Sequence, residues 1–139
     1  MLDKAILIAA KAHHGQTDKG GEPYILHPLR VMSSVKSERE RICAVLHDVI
    51  EDTDITLEYL RGEGFSEEII AALEALTRGQ NETYDEFIDR IIKNKTACHV
   101  KLADLKDNMN LSRIKNPTEK DYDRIEKYRK AEARILKAL

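Results

Sequence analysis

Apolar residues recur every three or four positions along most of this chain, which is the spacing of α-helices that bury one face. The pattern is clear at Phe87, Ile88 and Ile91, where polar residues fill the positions between the apolar ones. No segment shows the strict alternation that is typical of a half-buried strand. We therefore predict an all-α fold, a compact helical bundle that forms a single domain over residues 1–139.

Glycines, prolines and capping residues divide the chain into eight predicted helices. The first ends before Gly15, where the polar loop 15–23 begins. Pro28 suits the first position of the second helix, which would leave His27 at the helix cap. On the last helix, we expect Tyr122 and Tyr128 to face the core. The other predicted helices run from residue 38 or 40 through the segment 42–53, and then over 57–61, 66–79, 83–93, 96–112 and 118–139.

The segment 42–53 reads ICAVLHDVIEDT and is the most informative stretch of the chain. On one helix its apolar residues would share an arc facing a core, and the opposite arc would carry His47, Asp48, Glu51 and Asp52, with only Ala44 between them. A solvated acidic face is the ordinary interpretation of such a run. However, Asp48 and Asp52 would repel each other at i, i+4 with no local Lys or Arg, which costs roughly a few tenths of a kcal/mol. A bound cation would remove this repulsion, so we predict a metal site.

A second set of polar residues lies on the predicted helix 96–112. Lys101, Asp104 and Asn108 share one face of it at i, i+3 and i+7. A single aspartate on a helix is usually solvated, but here it would complete a mixed set of nitrogen and oxygen donors. The full set is His27, His47, Asp48 and Asp104. Such a set suits manganese, iron or zinc, and it leaves positions for water and a substrate phosphate.

Composition narrows the class of protein. A net charge of −2 and a pI near 6.2 give no electrostatic footprint for nucleic acid or a membrane surface. Cys43 and Cys98 form no C-x-x-C pair, so we expect both to be buried and reduced in a cytoplasmic protein. The apolar run 5–10 is too short to span a bilayer, and we read no signal peptide. A small-molecule partner is therefore favoured, and the possibility of a homo-oligomer is left open.

Short motifs follow one another between residues 12 and 108. They are AHHGQ (12–16), GEPYILHPL (21–29), HDVIEDT (47–53), ALTR (75–78) and KLAD (101–104), the last followed by Asn108. In this order they resemble the HD metal-dependent phosphohydrolase superfamily. The closer resemblance is to the hydrolase domain of the RelA/SpoT alarmone enzymes and their stand-alone small relatives. A His-Asp pair alone would be weak support, whereas the motifs in register are specific.

The resemblance implies a reaction and a role for each site residue. One metal ion, usually Mn²⁺ in this branch with Fe, Zn, Co or Ni as alternatives, would be held by His27, His47, Asp48 and Asp104. The attacking water would be oriented and deprotonated by Glu51 and Asp52. The nucleotide substrate would be contacted by Lys19 and Asn108, and the charge on its distal phosphates would be offset by Lys19, Lys101 or Lys106. The reaction would remove pyrophosphate from the 3′ position of ppGpp or pppGpp, the alarmones of the stringent response.

Two positions depart from the family pattern and leave the substrate open. Asp18 stands where the alarmone hydrolases usually have an arginine that packs against the purine, and Leu105 stands where many have arginine. The alternatives are a phosphohydrolase acting on ppApp, on the 2′-phosphate of NADPH or on a nucleoside phosphate. A weakly active nucleotide-binding module is a further alternative. It would predict loss of Glu51 or Asp52, and both are present.

Several other polar residues have simpler structural interpretations. We expect His13 and His14 to lie at a helix end, where a cation complements the helix dipole, rather than to bind metal. We expect a structural role for His99 and surface positions for the cations of the last helix, Arg124, Lys127 and Arg129.

Overall fold

Nine α-helices and one 3₁₀ turn make up the computed structural model, which describes residues 1–139. The helices are α1 (Leu2–Ala12), α2 (Leu26–Ser33), α3 (Glu38–Leu46), α4 (Val49–Asp52), α5 (Leu57–Gly62), α6 (Glu67–Ala75), α7 (Tyr84–Ile92), α8 (Lys95–Asn108) and α9 (Glu119–Ala138), with the 3₁₀ turn at Leu111–Arg113. The only β-type pairing is an isolated bridge between Thr17 and Pro23 in the loop after α1. The prediction of an all-α fold is confirmed.

Helix α3 occupies the centre of the bundle and packs against α1, α2, α6 and α8. Its residues Ile42, Val45 and Leu46 are fully or almost fully buried and join one cluster of apolar side chains that reaches every helix from α1 to α9. Burial of apolar side chains is the main force that stabilises such a bundle. Residues at the end of α3 are therefore held by the core.

Side-chain caps start four of the helices where the sequence predicted them. Thr56, Ser66 and Thr83 each accept a hydrogen bond from a main-chain N–H in the first turn of α5, α6 and α7. Thr118 caps α9 together with Asp121. Each such cap satisfies a donor that has no partner within the helix, and typically contributes about 1 kcal/mol.

The segment 42–53 is not one continuous helix, so that part of the prediction was wrong. Helix α3 ends at Leu46, the backbone turns at His47 and Asp48, and the short helix α4 follows. Asp48 has φ −101° and ψ −6°, outside the regular helical range. Ala44, placed on the polar arc by the continuous-helix pattern, is fully buried. Neighbouring residues on a regular helix point about 100° apart. The turn allows His47 and Asp48 to reach the same point in space.

Helix α2 begins at Leu26, so His27 lies in its first turn and not at its cap. Pro28 is tolerated there because the first N–H groups of a helix have no intrahelical partner. Two other predicted ends were too late. Helix α6 stops at Ala75 and α8 stops at Asn108, after which the side chain of Asn110 starts the 3₁₀ turn by accepting from the Ser112 N–H.

On α9, Tyr122 does not face the core, and its exposed fraction is 56%. The neighbouring Asp121 is buried instead, because its carboxylate accepts hydrogen bonds from the main-chain N–H and hydroxyl of Thr118. This capping contact fixes the rotation of the helix, about 100° away from the one that would bury Tyr122. Tyr128 is half-buried and packs against the core, as predicted.

Both cysteines are free and buried, as the sequence predicted. Burial raises the pKa of both thiols, that of Cys43 to about 12, so neither side chain is a ready nucleophile. His99 has the structural role that we expected, since its Nδ1 pairs with the carboxylate of Glu40 at the start of α3. None of the helices has the length and apolar character that crossing a membrane requires.

We predict that Leu73→Ala lowers the free energy of unfolding by about 2–5 kcal/mol, because the Leu73 side chain extends from α6 into the core and is fully buried. Urea titration followed by circular dichroism measures the change. The matched control is Leu136→Ala, which removes the same atoms from a side chain that is 56% exposed. Equal losses in the two variants would contradict the assigned core.

Candidate active site

Four side chains from three parts of the chain converge at one point. The Nε2 atoms of His27, on α2, and His47, after α3, lie 2.9 and 3.1 Å from Oδ1 of Asp104 on α8. Oδ2 of Asp48 lies 3.1 Å from Nε2 of His47 and 3.7 Å from Nε2 of His27. All four residues predicted as metal ligands are therefore brought together.

The hydrogen bond at Nδ1 of each imidazole determines whether Nε2 of the neutral ring carries a proton or a lone pair. Nδ1 of His47 lies 2.5 Å from the carbonyl oxygen of Ala44, and Nδ1 of His27 lies 2.6 Å from Oδ2 of Asp107. Both partners accept hydrogen bonds, so each Nδ1 carries a proton. In the neutral imidazoles, the two Nε2 lone pairs therefore point at Asp104, where they meet carboxylate oxygens. The arrangement therefore needs positive charge at its centre, which either protons on the imidazoles or a divalent metal with nitrogen and oxygen ligands can supply.

The opposite charges within the cluster also shift the pKa values of its members. Burial opposes charge on the His47 imidazole, but Asp48 and Asp104 raise its pKa well above the usual range. Burial also opposes ionisation of Asp104, yet Lys101 and the two histidines hold the pKa of that carboxyl well below its ordinary value. The centre of the site is a place where positive charge is stabilised.

Asp107 is a supporting residue that the sequence analysis missed. Its Oδ1 accepts from Nε of Arg30 at 2.9 Å, and its Oδ2 accepts from His27 and, at 3.3 Å, from Nη2 of Arg113. Burial raises the pKa of Asp107, but Arg30 and His27 lower it overall, so the carboxylate stays ionised and orients the His27 ring. The signal in the sequence was its position one helical turn after Asp104.

Tyr24 is a second residue that the sequence analysis missed. Its hydroxyl donates to Oδ2 of Asp48 at 2.5 Å, and burial together with the Asp48 charge raises the pKa of the phenol. The aromatic rings His13, Tyr24, His27 and His47 form a column with successive centroid distances of 5.0, 5.7 and 5.4 Å. Tyr24 lies three residues before His27, and this spacing was the signal available.

Glu51 and Asp52 lie on α4, immediately after the two ligand-type residues. Oε1 of Glu51 accepts from the main-chain N–H of Arg78 at 2.5 Å, and the main-chain carbonyl of Asp52 accepts from Nε2 of Gln16 at 3.2 Å. Partial desolvation and the negative charge of Asp48 raise the pKa of both carboxyl groups. Both therefore have a higher affinity for a proton than an isolated carboxylate.

The three predicted substrate contacts occupy different environments. Nδ2 of Asn108 donates to Oδ1 of Asp104 at 3.1 Å. Nζ of Lys101 lies 3.0 Å from the other carboxylate oxygen of Asp104, Oδ2. The Lys101 side chain is only 11% exposed, so its charge is directed at Asp104. Lys19 is exposed and lies 3.5 Å from Oδ1 of Asp121, at the start of α9.

A cavity of about 300 Å³ opens beside His27 and Asn108. Its volume is at the lower end of the range for small-molecule sites. Four cations line it: Lys19, Arg30, Arg113 and Arg124. Arg124 was expected on the open surface but is half-buried, because it pairs with the buried Asp121. Three aspartates also line the cavity, and two of them, Asp107 and Asp121, pair with the four cations. The lining therefore has only a small excess of positive charge, and it reaches the histidine-aspartate cluster at His27.

The loop 15–23 forms one wall of this cavity, and Asp18 holds the loop together. Oδ1 of Asp18 accepts from the main-chain N–H groups of Gly20 and Glu22, each at 2.9 Å. A Cβ atom on Gly20 would lie 2.6 Å from the carbonyl oxygen of Arg113, so only glycine fits there. The aspartate that departs from the family pattern thus has a local structural role.

Comparison with known proteins identifies the family of this chain. The HD domain family matches residues 5–132. The bifunctional (p)ppGpp synthase/hydrolase SpoT of Escherichia coli K12 is 37% identical over 122 residues, covering 78% of this chain and 17% of SpoT. The guanosine-3′,5′-bis(diphosphate) 3′-pyrophosphohydrolase of Aquifex aeolicus is 33% identical over 120 residues, with the same two coverages. The chain thus spans 17% of the length of these curated relatives.

A solved structure gives the same fold. It comes from work on a metazoan ortholog of SpoT, which is described as hydrolysing ppGpp and playing a role in starvation responses. The TM-score is 0.81 over 97% of this chain and 84% of that one, at 24% sequence identity. The resemblance drawn from the motifs is confirmed: this chain belongs to the HD-domain family.

Proposed function

We propose that this chain is a metal-dependent nucleotide phosphohydrolase that removes pyrophosphate from the 3′ position of ppGpp or pppGpp. The observation that carries the proposal is the convergence of two imidazole nitrogens and two aspartates beside a cavity lined by four cations. Relatives of at least 33% identity that bear the name of this activity support the choice of substrate.

The metal would be held by His27, His47, Asp48 and Asp104. Mixed nitrogen and oxygen donors suit Mn²⁺, our first choice, with Fe, Zn, Co or Ni as alternatives. When bound, a divalent ion supplies polarisation of a phosphoryl oxygen and a lower pKa for a water molecule. The chain contributes the fixed direction of the donors, through Asp107 on His27 and through the Ala44 carbonyl on His47.

Glu51 and Asp52 would orient the attacking water and accept its proton. Their raised pKa values favour this role, because a general base works best when its pKa approaches the working pH. The hydrogen bonds from the Arg78 main chain to Glu51 and from Gln16 to the Asp52 carbonyl hold α4 in place. The proton would therefore move to a carboxylate oxygen whose position is fixed.

The nucleotide would occupy the cavity beside His27. Asn108 lines the cavity and donates to Asp104, and the exposed Lys19 lines it too, which supports our proposal that both contact the nucleotide. Cations facing a polyanionic substrate stabilise charge that develops on its phosphates. We propose that Lys101 assists less directly, by keeping Asp104 ionised.

The proposed activity predicts release of pyrophosphate from ppGpp by the manganese-loaded protein, measured beside ppApp, NADPH and GTP. Turnover of ppGpp is expected because the four-ligand cluster lies beside a cavity whose lining includes four cations. Orthophosphate from NADPH with ppGpp untouched would contradict the substrate and keep the phosphohydrolase chemistry. Asp18 stands where the family usually has an arginine that packs against the purine. The comparison of ppGpp with ppApp, which differ only in the purine, is therefore the most informative part of the panel.

We predict that Glu51→Gln lowers kcat by about 10²- to 10⁴-fold, because the amide cannot accept the proton of the attacking water. The affinity for Mn²⁺, measured by isothermal titration calorimetry, should be unchanged. Glu38→Gln is the matched control, since Glu38 is exposed at the start of α3. A Glu51→Gln enzyme with full kcat would exclude Glu51 as the base.

We predict that Asp107→Asn weakens Mn²⁺ binding by about 10- to 100-fold, because His27 loses the carboxylate that orients its ring. Calorimetric titration with Mn²⁺ gives the affinity. Asp123→Asn, an identical change at an exposed position of α9, is the control. Unaltered metal affinity in Asp107→Asn would show that the metal-binding orientation of His27 does not depend on this carboxylate.

A further inference from the structure

His13 is buried at the end of α1, with an exposed fraction of only 2%. Its position at the helix end was predicted, but its burial was not. Nε2 of this imidazole is buried and has no hydrogen-bond partner in the protein. An apolar side chain would fill the same space without burying an unpaired polar atom, so packing alone does not account for an imidazole here.

The hydrogen bonds of Gln16 indicate which tautomer the neutral His13 ring adopts. The Asp52 carbonyl only accepts hydrogen bonds, so the Gln16 atom that faces it must be the amide nitrogen. The amide oxygen of Gln16 then faces Nδ1 of His13, at 2.9 Å. An oxygen there requires a proton on Nδ1, and the neutral imidazole therefore leaves a lone pair on the buried Nε2.

The contact on Asp52 closes the end of a very short helix. Helix α4 has four residues, and the last carbonyl groups of a helix lack intrahelical partners. Gln16 supplies a donor to one of them from 36 residues away in the sequence. Its own main chain is fixed on both sides, since its N–H donates to the His13 carbonyl at 3.0 Å and its carbonyl accepts from Tyr24 at 2.9 Å.

We propose that His13 is a positioning residue for the water-activating carboxylates. Its Nδ1–H orients the Gln16 amide, the amide holds the Asp52 carbonyl, and α4 is thereby fixed with Glu51 and Asp52 in place. The His13 ring also packs against Tyr24, whose hydroxyl donates to Asp48. This inference rests on the proposed function in assigning water activation to the two carboxylates.

Kinetics on variants with and without a donor test this role. His13→Leu removes the N–H, whereas His13→Asn keeps an amide nitrogen near the position of Nδ1. We expect His13→Leu to lower kcat by about 10- to 100-fold with KM and Mn²⁺ affinity unchanged, because a small displacement of α4 misaligns the base. His13→Asn should recover most of the loss, and Gln16→Glu, which lacks the amide donor, should repeat it.

The control is His14→Leu, the same change at the exposed neighbour, and it should leave kcat unchanged. A purely structural role would instead lower the thermal midpoint and the metal affinity together with kcat, and asparagine would be no better than leucine. That result would overturn the proposal.

Nitrogen-15 NMR gives a readout that does not depend on turnover. We expect a protonated Nδ1 and a pyridine-type Nε2 for His13 in the wild-type protein, and shifted amide signals at Asp52 and Thr53 in Gln16→Leu. If no nucleotide in the panel is hydrolysed, the proposed function fails, while these signals still decide the positioning role. A proton on Nε2 in place of Nδ1, or undisturbed α4 signals in Gln16→Leu, would overturn it.

Discussion

The buried carboxylate of Asp104 is the group on which the rest of the site depends. One of its oxygens faces the two imidazoles and the Asn108 amide, and the other faces Lys101. A buried carboxylate without such partners would be strongly destabilising. The contacts therefore join α8 to α2 and to the end of α3, and they make one point of the core favourable for positive charge.

Supporting contacts extend outward from that point and restrict each ligand. Asp107 holds His27 and is itself held by two arginines that line the cavity. On the other side, Tyr24 holds Asp48, and its ring lies between those of His13 and His27. Donor atoms that are fixed before a ligand arrives need little reorganisation, which is the condition for effective electrostatic stabilisation in a reaction.

The loop 15–23 links the cavity to the carboxylates of α4. Asp18 braces the part of the loop that walls the cavity, while Gln16, two residues earlier, donates to the main chain of Asp52. The same loop thus contacts both the cavity and the groups proposed to activate water. Asp18, which departs from the family pattern, makes its hydrogen bonds within the loop and none to the ligand cluster.

The sequence by itself determined most of the helices and several of their capped starts, because helical periodicity and capping depend on neighbours along the chain. It also supplied the four residues of the cluster, through the order of its short motifs. Only the tertiary structure decided the break between α3 and α4, the burial of His13 and the support that Asp107 gives to His27. Each of these depends on partners far apart in the sequence: Asp107 lies 80 residues from His27, and Gln16 lies 36 residues from Asp52. No local pattern encodes such distances; packing around α3 creates them.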